Sequence, residues 1–180
     1  NLIPPKDIAN RDRWDDGLDP SKVAFKHCEV TRFPVVVSIA PQALPLLRPS
    51  NGLGYLNVWL DGNRDGDWDD VFDCPGYNGA VPEHIVIDWP VNANALGPGL
   101  HVIYVSTVEP VYWPSERPAW LRATLSERSS NKPFSGGAYG DGRGYVKPFK
   151  LGETEDYVWR RPEEEPVDLA VEKGGRLRLT

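Results

Sequence analysis

At its centre the sequence reads Tyr55-Leu56-Asn57-Val58-Trp59-Leu60-Asp61-Gly62-Asn63-Arg64-Asp65-Gly66-Asp67-Trp68-Asp69-Asp70, an alternating run that leads directly into an acidic turn. The alternation predicts a strand with one buried face. The turn then places oxygen-bearing side chains at every second position around a glycine. Ca²⁺ binds six to eight oxygens at about 2.3–2.6 Å, and a loop of the form D-x-N-x-D-G-D supplies them from positions 1, 3 and 5 and from the carbonyl of position 7. The pattern therefore predicts a calcium loop at the end of a strand.

The predicted calcium ligands come from the side chains of this loop and one carbonyl. They are Asp61, Asn63, Asp65, Asp67 through its carbonyl oxygen, and Asp69 or Asp70. Five aspartates so close together repel one another unless a cation lies among them. The loop is not an EF-hand, because position 12 is Phe72 instead of a bidentate glutamate and the preceding segment reads as a strand. An ordinary turn is the alternative interpretation, since Asp, Asn and Gly are also common hairpin residues.

Composition limits the classes of protein to which the chain can belong. It has 180 residues with 18 prolines, 17 glycines, no methionine, a net charge of −6 and a pI near 5.1. The acidic balance argues against nucleic acid as a partner, because phosphates need a basic face. No apolar run approaches the roughly 20 residues that cross a bilayer, so membrane insertion is not expected. The first residues resemble neither a signal peptide nor an initiation site, and we expect a mature or excised piece.

The remaining sequence predicts an all-β fold with few or no helices. Short alternating segments recur between loops rich in proline, glycine and asparagine, which is typical of an antiparallel β-sandwich of immunoglobulin-like or jelly-roll-like type. The predicted strands are 23–30, 33–40, 54–60, 84–91, 100–108, 119–126 and 155–160. The predicted organisation is an extended lead-in (1–22), the sandwich (23–160), a stiff Pro/Glu linker (161–166) and a tail of two short strands (167–180).

The chain has two cysteines, Cys28 and Cys74. In an oxidising compartment they would form a disulfide and stabilise the fold by about 4 kcal/mol on the loop-entropy model. Two buried thiols are the alternative. Calcium favours the outside of the cell, where the ion is abundant enough to fill a site of modest affinity. We therefore expect an extracellular or cell-surface protein.

Three segments together resemble the bacterial GEVED domain family. They are the strand and loop over 55–70, Leu121-Arg122-Ala123-Thr124-Leu125-Ser126-Glu127, and Gly152-Glu153-Thr154-Glu155-Asp156-Tyr157. Trp14-Asp15-Asp16-Gly17 is similar to the acidic entry that precedes the first strand in that family. The sequence departs from the family at Thr154, where valine is usual, at Gly62, where an aromatic residue is common, and in a proline-rich insertion after Val108. The resemblance implies a non-catalytic β-sandwich module of secreted and surface-anchored bacterial proteins, and the tail is similar to the first strand of stalk domains that follow in such proteins.

The second acidic motif offers candidates for the carboxylate that the loop lacks at position 12. Other sources are Asp69, Asp70 and Asp73, closer in the chain. Adjacent acids at the start of a strand are costly unless a cation or a basic residue neutralises them. The distal candidates are Glu153, Glu155 and Asp156. The alternative is a solvated strand edge whose charges discourage pairing with other sheets.

Several functions remain open for such a domain, although catalysis is not expected. The acids have metal-loop spacing rather than an apolar pocket that would raise a catalytic pKa, and the three histidines, His27, His84 and His101, show no metal-binding spacing. Trp113 and Trp120, beside the insertion, are candidates for glycan or protein contacts, whereas Trp59, Trp89 and Trp159 are expected in the core. The detached tail could instead join copies of the chain into a filament by strand exchange. Our main prediction is a calcium-stabilised structural or adhesive module that contacts neighbouring domains or copies of itself.

Overall fold

The computed structural model describes residues 17–115, 117–130 and 150–161, together with the backbone of two further strands at 169–172 and 176–179. The acidic entry at 14–16, most of the long loop predicted over 129–148 and the linker after 161 lie outside the described residues. Among the described residues, every helix is too short to extend through a lipid bilayer.

Antiparallel strands make up most of the described structure, which confirms the all-β prediction. The strands are β1 (Arg32–Ile39), β2 (Leu53–Asp61), β3 (Val71–Asp73), β4 (Ala80–Pro82), β5 (His84–Asn92), β6 (Gly99–Ser106), β7 (Ala119–Ser126), β8 (Gly152–Trp159), β9 (Leu169–Glu172) and β10 (Arg176–Leu179). Between them lie the single-turn helices α1 (Ala43–Leu46) and α2 (Ala93–Leu96) and the 3-10 turns Pro20–Lys22 and Arg48–Ser50. Helices are short, as the frequent prolines and glycines predict.

The sandwich is built from a four-stranded sheet and a two-stranded ladder. The larger sheet has the order β5-β2-β7-β8, with antiparallel neighbours throughout. β1 pairs with β6 along its whole length, from Arg32 opposite Ser106 to Ile39 opposite Gly99. A short hairpin of β3 and β4 follows the acidic turn, and β9 pairs with β10.

One hydrophobic core lies between the two layers. Its rows are Phe33, Val35, Val37 and Ile39 on β1, Leu56, Val58 and Leu60 on β2, and Leu121, Ala123 and Leu125 on β7. Every second side chain of a strand faces the same side, so these rows confirm the alternation predicted for the three segments. Aromatic rings close one end of the core, where Trp159 contacts Phe25 and Trp113 at centroid distances of 5.0 and 4.5 Å.

On β5 the alternation expected of a strand fails beyond Ile85, so the prediction that Ile85, Ile87 and Trp89 share one buried face is wrong. Val86 is also buried, whereas Ile87 is only half-buried. The register against β2 shifts at this point, and Asp88 adopts a left-handed φ of 47°. A β-bulge adds one residue to a strand and reverses which residues face the core. Local sequence alternation cannot reveal it.

The strand predicted over 23–30 is absent, although the segment packs against the core through the buried Phe25. Cys28 has a left-handed φ of 58°, which interrupts extended backbone. Only His27 forms a β-bridge, to Val111. The segment is therefore an irregular strap along the core.

Cys28 and Cys74 form a disulfide, which confirms the predicted pairing. The bond joins the strap 23–30 to the residue that follows β3, across a sequence separation of 46. Disulfides persist in oxidising compartments, and the bond is a sign of such an environment.

The folded domain includes the end of the predicted lead-in. Gly17 exchanges both backbone hydrogen bonds with Val36, at 2.8 and 2.9 Å. Leu18 is buried in the core, and its N–H donates to the Tyr157 hydroxyl at 3.2 Å. Gly17 and Leu18, which the sequence assigns to the lead-in, therefore belong to the folded domain.

Candidate metal centre

The acidic turn starts at the last residue of β2. Asp61 is almost fully buried, and the register of the sheet places it opposite Trp120 of β7. Gly62 follows in contact with the main chain of the insertion, since a Cβ there would overlap the carbonyl oxygen of Tyr112. This contact explains why glycine occupies the position where the resemblance leads one to expect an aromatic residue.

The turn is held by a ladder of side-chain to backbone hydrogen bonds. The Asn63 amide oxygen accepts from Asp65 N–H at 3.2 Å, Asp65 accepts from Asp67 N–H at 3.3 Å, and Asp67 accepts from Asp69 N–H at 3.4 Å. Gly66 has a φ of 94°, in the region that favours glycine, as predicted for the sharp turn at position 6. The backbone therefore winds tightly with its acidic side chains directed inward.

Three of the residues predicted as ligands form a compact cluster, in which Asp67 contributes its carboxylate instead of the predicted carbonyl. Carboxylate oxygens of Asp65, Asp67 and Asp70 lie within 4.8 Å of one another, so the cluster could hold a metal ion. The Asn63 amide nitrogen donates to Asp65 at 2.7 Å and to Asp70 at 2.5 Å. None of the described ion pairs involves a carboxylate of this loop. Repulsion within the cluster and burial raise the pKa of Asp70, with burial the larger cause.

Asp61, the first residue of the loop, is not part of this three-residue cluster, and one of its carboxylate oxygens has no partner among the described residues. The nearby backbone N–H groups of Arg64, Gly66 and Asp65 act to lower the pKa of Asp61. Its Oδ1 is buried and has no hydrogen-bond partner among the described residues. Burial, followed by the negative charge of Asp65, raises the pKa of Asp61. A buried carboxylate oxygen without a partner is costly unless a cation neutralises it.

Glu83 is a second buried carboxylate at the site, and sequence reasoning missed it. It lies between β4 and β5 and is 2% exposed. Its Oε1 accepts a hydrogen bond from Gly62 N–H at 3.1 Å, and its Oε2 is buried without a partner among the described residues. Burial, followed by the negative charge of Asp61, raises the pKa of Glu83 to about 8. The only feature of the sequence that could have pointed to Glu83 was its position directly before a predicted strand.

The distal acids of the second motif do not join this cluster. On β8 successive side chains face opposite sides, so neighbouring acids cannot meet at one point. Asp156 forms a bidentate ion pair with Arg122, with both N–O distances at 2.6 Å. Glu155 accepts a hydrogen bond from the Tyr157 hydroxyl, and Glu153 borders the cleft between the layers near Leu125.

Asp69 and Arg122 complete the surroundings of the cluster. Asp69 donates its backbone N–H to the Asp67 carboxylate, and its side chain borders a cavity of about 260 Å³ together with Asp70 and Glu109. The Arg122 guanidinium lies 5.1 Å from the ring centroid of Trp68. Arg122 therefore links the acidic loop to the second motif through a cation–π contact and an ion pair, so the two motifs are neighbours without sharing ligands.

The predictions of which tryptophans are buried and which are exposed are partly confirmed and partly wrong. The tryptophans expected in the core are buried or packed against it: Trp59, Trp89 and Trp159. Trp113 is not a contact surface, because it is fully buried and its ring N–H donates to the Arg117 carbonyl at 2.8 Å. The insertion folds back over the end of the sandwich and brings this ring inward. Trp120 is 49% exposed, as a surface role requires.

No family model, no curated protein and no solved structure matches this chain. The function must therefore be argued from the site itself.

Proposed function

We propose that this chain is a non-catalytic structural module that binds Ca²⁺ in the loop 61–70. The observation that carries the proposal is the buried, unpartnered Oδ1 of Asp61 at the start of a loop in which the carboxylates of Asp65, Asp67 and Asp70 cluster. A cation among these oxygens would neutralise the repulsion and satisfy the buried atom. The proposed ligands are Asp61, Asn63, Asp65, Asp67 and Asp70, with Asp69 next to the ion.

Calcium fits this donor set better than other common metals. All the donors are carboxylate, amide or carbonyl oxygens, which suit hard cations. Zinc sites use histidine or cysteine, but the cysteines form a disulfide and the buried His84 bonds to the Asn57 side chain at 2.7 Å. Mg²⁺ retains several waters and requires a near-ideal octahedron, whereas Ca²⁺ tolerates a loop of many carboxylates.

The proposed setting is the surface of a bacterial cell or the extracellular medium. The disulfide supports an oxidising compartment, and calcium is abundant outside cells. The resemblance to GEVED domains supports a building-block role in a larger surface protein. In this role the ion stabilises the domain, and the module supplies spacing or adhesion rather than a reaction.

The test is thermal unfolding of the full chain in calcium and in EDTA. An ion bound only by the folded state adds about 2.7 kcal/mol at a hundredfold excess over its Kd. For a domain of this size that corresponds to a rise in Tm of roughly 5–10 °C. Asp65→Ala should abolish the rise, and Glu109→Gln, which removes a charge beside the same cavity, should retain it. A mutant Asp65→Ala that gains as much from calcium as the wild type contradicts the assignment.

Self-association through terminal strands is a second candidate, favoured by β6. Among the described residues β6 pairs only with β1, and its outer face exposes Leu100, Val102 and Tyr104 by 57, 62 and 54%. An apolar strand with a free edge is a template for strand addition. The proposed occupant is the β9–β10 hairpin of a second copy, in which β10 alternates arginine and leucine and β9 begins with three apolar residues.

Chromatography and negative-stain imaging test this second candidate. The full chain should form assemblies that a chain ending at Arg161 does not form. A monodisperse full chain at all concentrations contradicts self-association and leaves the calcium proposal intact.

A further inference from the structure

The loop 61–70 does not supply enough oxygens to complete a calcium site. Ca²⁺ takes six to eight oxygens, and an EF-hand obtains two of them from a glutamate at position 12. Here position 12 is Phe72, whose ring stacks on Tyr112 at a centroid distance of 3.9 Å. The chain therefore leaves the loop with an apolar residue directed to the insertion. A carboxylate from elsewhere in the chain would supply the position that the glutamate fills in an EF-hand.

Two backbone hydrogen bonds position Glu83 next to the acidic loop. Its N–H donates to the Asp70 carbonyl at 3.1 Å, and its carbonyl accepts from Leu60 N–H at 2.9 Å. These two bonds join Glu83 to the residue before the loop and to the last acid of the loop. The chain thus returns to the acidic turn after the β3–β4 excursion.

One carboxylate oxygen of Glu83 holds the side chain in place through a hydrogen bond, and the other has no hydrogen-bond partner among the described residues. Oε1 accepts the hydrogen bond from Gly62 N–H, the second residue of the loop, while Oε2 is buried without a partner among the described residues. The nearby charges that act on Glu83 are those of Asp61, Asp70 and Asp65, all of them negative. Asp61 has an unpartnered buried oxygen of its own. A cation would neutralise these two buried, unpartnered carboxylate oxygens next to a carboxylate cluster and give both of them a partner.

We propose that Glu83 is the distal carboxylate that completes the calcium site, with Oε2 as its ligand atom. This inference rests on the proposed function, since it requires that the loop binds calcium. The ion then bonds both to the end of β2 and to the residue before β5. It closes the base of the excursion over 62–82, which carries Cys74.

A purely structural role for Glu83 makes a different prediction from a ligand role. Acceptance of the Gly62 N–H needs only a side-chain oxygen, which glutamine also provides. A ligand role needs the negative charge and the second oxygen. The variant Glu83→Gln keeps the volume and the acceptor and removes the charge, so it separates the two roles.

The experiment is calorimetric titration of the full-length chain with CaCl₂ alone. Glu83→Gln should weaken calcium binding by about tenfold or more, because affinity follows the number of charged ligands. In EDTA the same variant should be at least as stable as the wild type, because it replaces a buried carboxyl beside Asp61, whose Oε2 has no partner among the described residues, with a neutral amide. Glu109→Gln, the matched control at the adjacent cavity, should bind within about twofold of wild type.

The outcomes separate this inference from the proposed function. If Asp65→Ala abolishes binding but Glu83→Gln binds within twofold of wild type, Glu83 is not a ligand and the loop assignment stands. If Asp65→Ala binds normally, the loop assignment itself fails. Should Glu83→Gln not fold, Glu83→Asp keeps the charge with a shorter reach: binding weaker than wild type supports the assignment, and unchanged binding overturns it.

Discussion

The carboxylate of Glu83 accepts a hydrogen bond from the backbone N–H of Gly62 at 3.1 Å, although the two residues are 21 positions apart. The bond joins the first turn of the acidic loop to the residue that precedes β5. It places a buried carboxylate beside a loop that already contains five mutually repelling aspartates. This relationship connects the fold to the proposed metal chemistry, since the sheet register, rather than the loop sequence, brings the two together.

The ion pair between Arg122 and Asp156 predicts a stability effect without a calcium effect. Asp156→Asn should lower the free energy of unfolding by at most about 1 kcal/mol, because Asp156 is 42% exposed and solvent screens the pair. The calcium Kd should stay within about twofold of wild type, because the carboxylate is engaged by Arg122 rather than by the loop. Urea denaturation and calorimetry would measure both. A large loss of calcium affinity would restore Asp156 as a ligand.

The disulfide predicts a large stability effect. Replacing both Cys28 and Cys74 with serine should lower the free energy of unfolding by about 4 kcal/mol on the loop-entropy model. Urea denaturation of the oxidised wild type and of the double variant in calcium checks the value. A loss below about 1 kcal/mol would show that the bond contributes little.

Replacing Trp113 or Trp120 with alanine should have very different effects on the free energy of unfolding. Trp113→Ala should cost about 3–5 kcal/mol, because it removes a fully buried ring that packs on Trp159. Trp120→Ala, at a half-exposed position, is the matched control and should cost much less. Equal losses for the two variants, measured by thermal and urea unfolding, would contradict the packing described above.

His84 predicts a loss of stability in acid. Burial lowers the pKa of His84 from 6.5 to about 3 in the folded protein, so the unfolded chain binds a proton more readily. The stability contributed by neutral His84 is therefore complete above pH 6.5 and falls as the pH decreases toward 3. At pH 5 the loss relative to pH 8 should be about 2 kcal/mol.

The control for this pH dependence is His84→Gln, which has no titrating group. The difference in unfolding free energy between wild type and variant, measured at each pH, removes the contribution of the carboxylates common to both. A difference that does not change between pH 8 and pH 5 would contradict the burial of a neutral imidazole.

The strands and the loop chemistry were predictable because their signals are local. Alternation at every second residue marks β1, β2 and β7, and the backbone of an extended strand makes that period unavoidable. The spacing of Asp61, Asn63 and Asp65 encodes a tight turn within a few residues. The pairing of Cys28 with Cys74 was one of two alternatives, since the sequence contains no other cysteines.

Sequence alone therefore determined the fold class and the acidic turn, whereas the tertiary structure decided which distant groups surround that turn. The bulge at Asp88 reversed which side chains of β5 face the core, and the fold of the insertion buried Trp113. The strand register placed Asp156 opposite Arg122, with which it forms an ion pair, rather than next to the acidic loop. The same register brought Glu83 back to Gly62. The physical reason is that periodicity and turn chemistry act over a few residues, while contacts between remote positions depend on which strands pair and in which register.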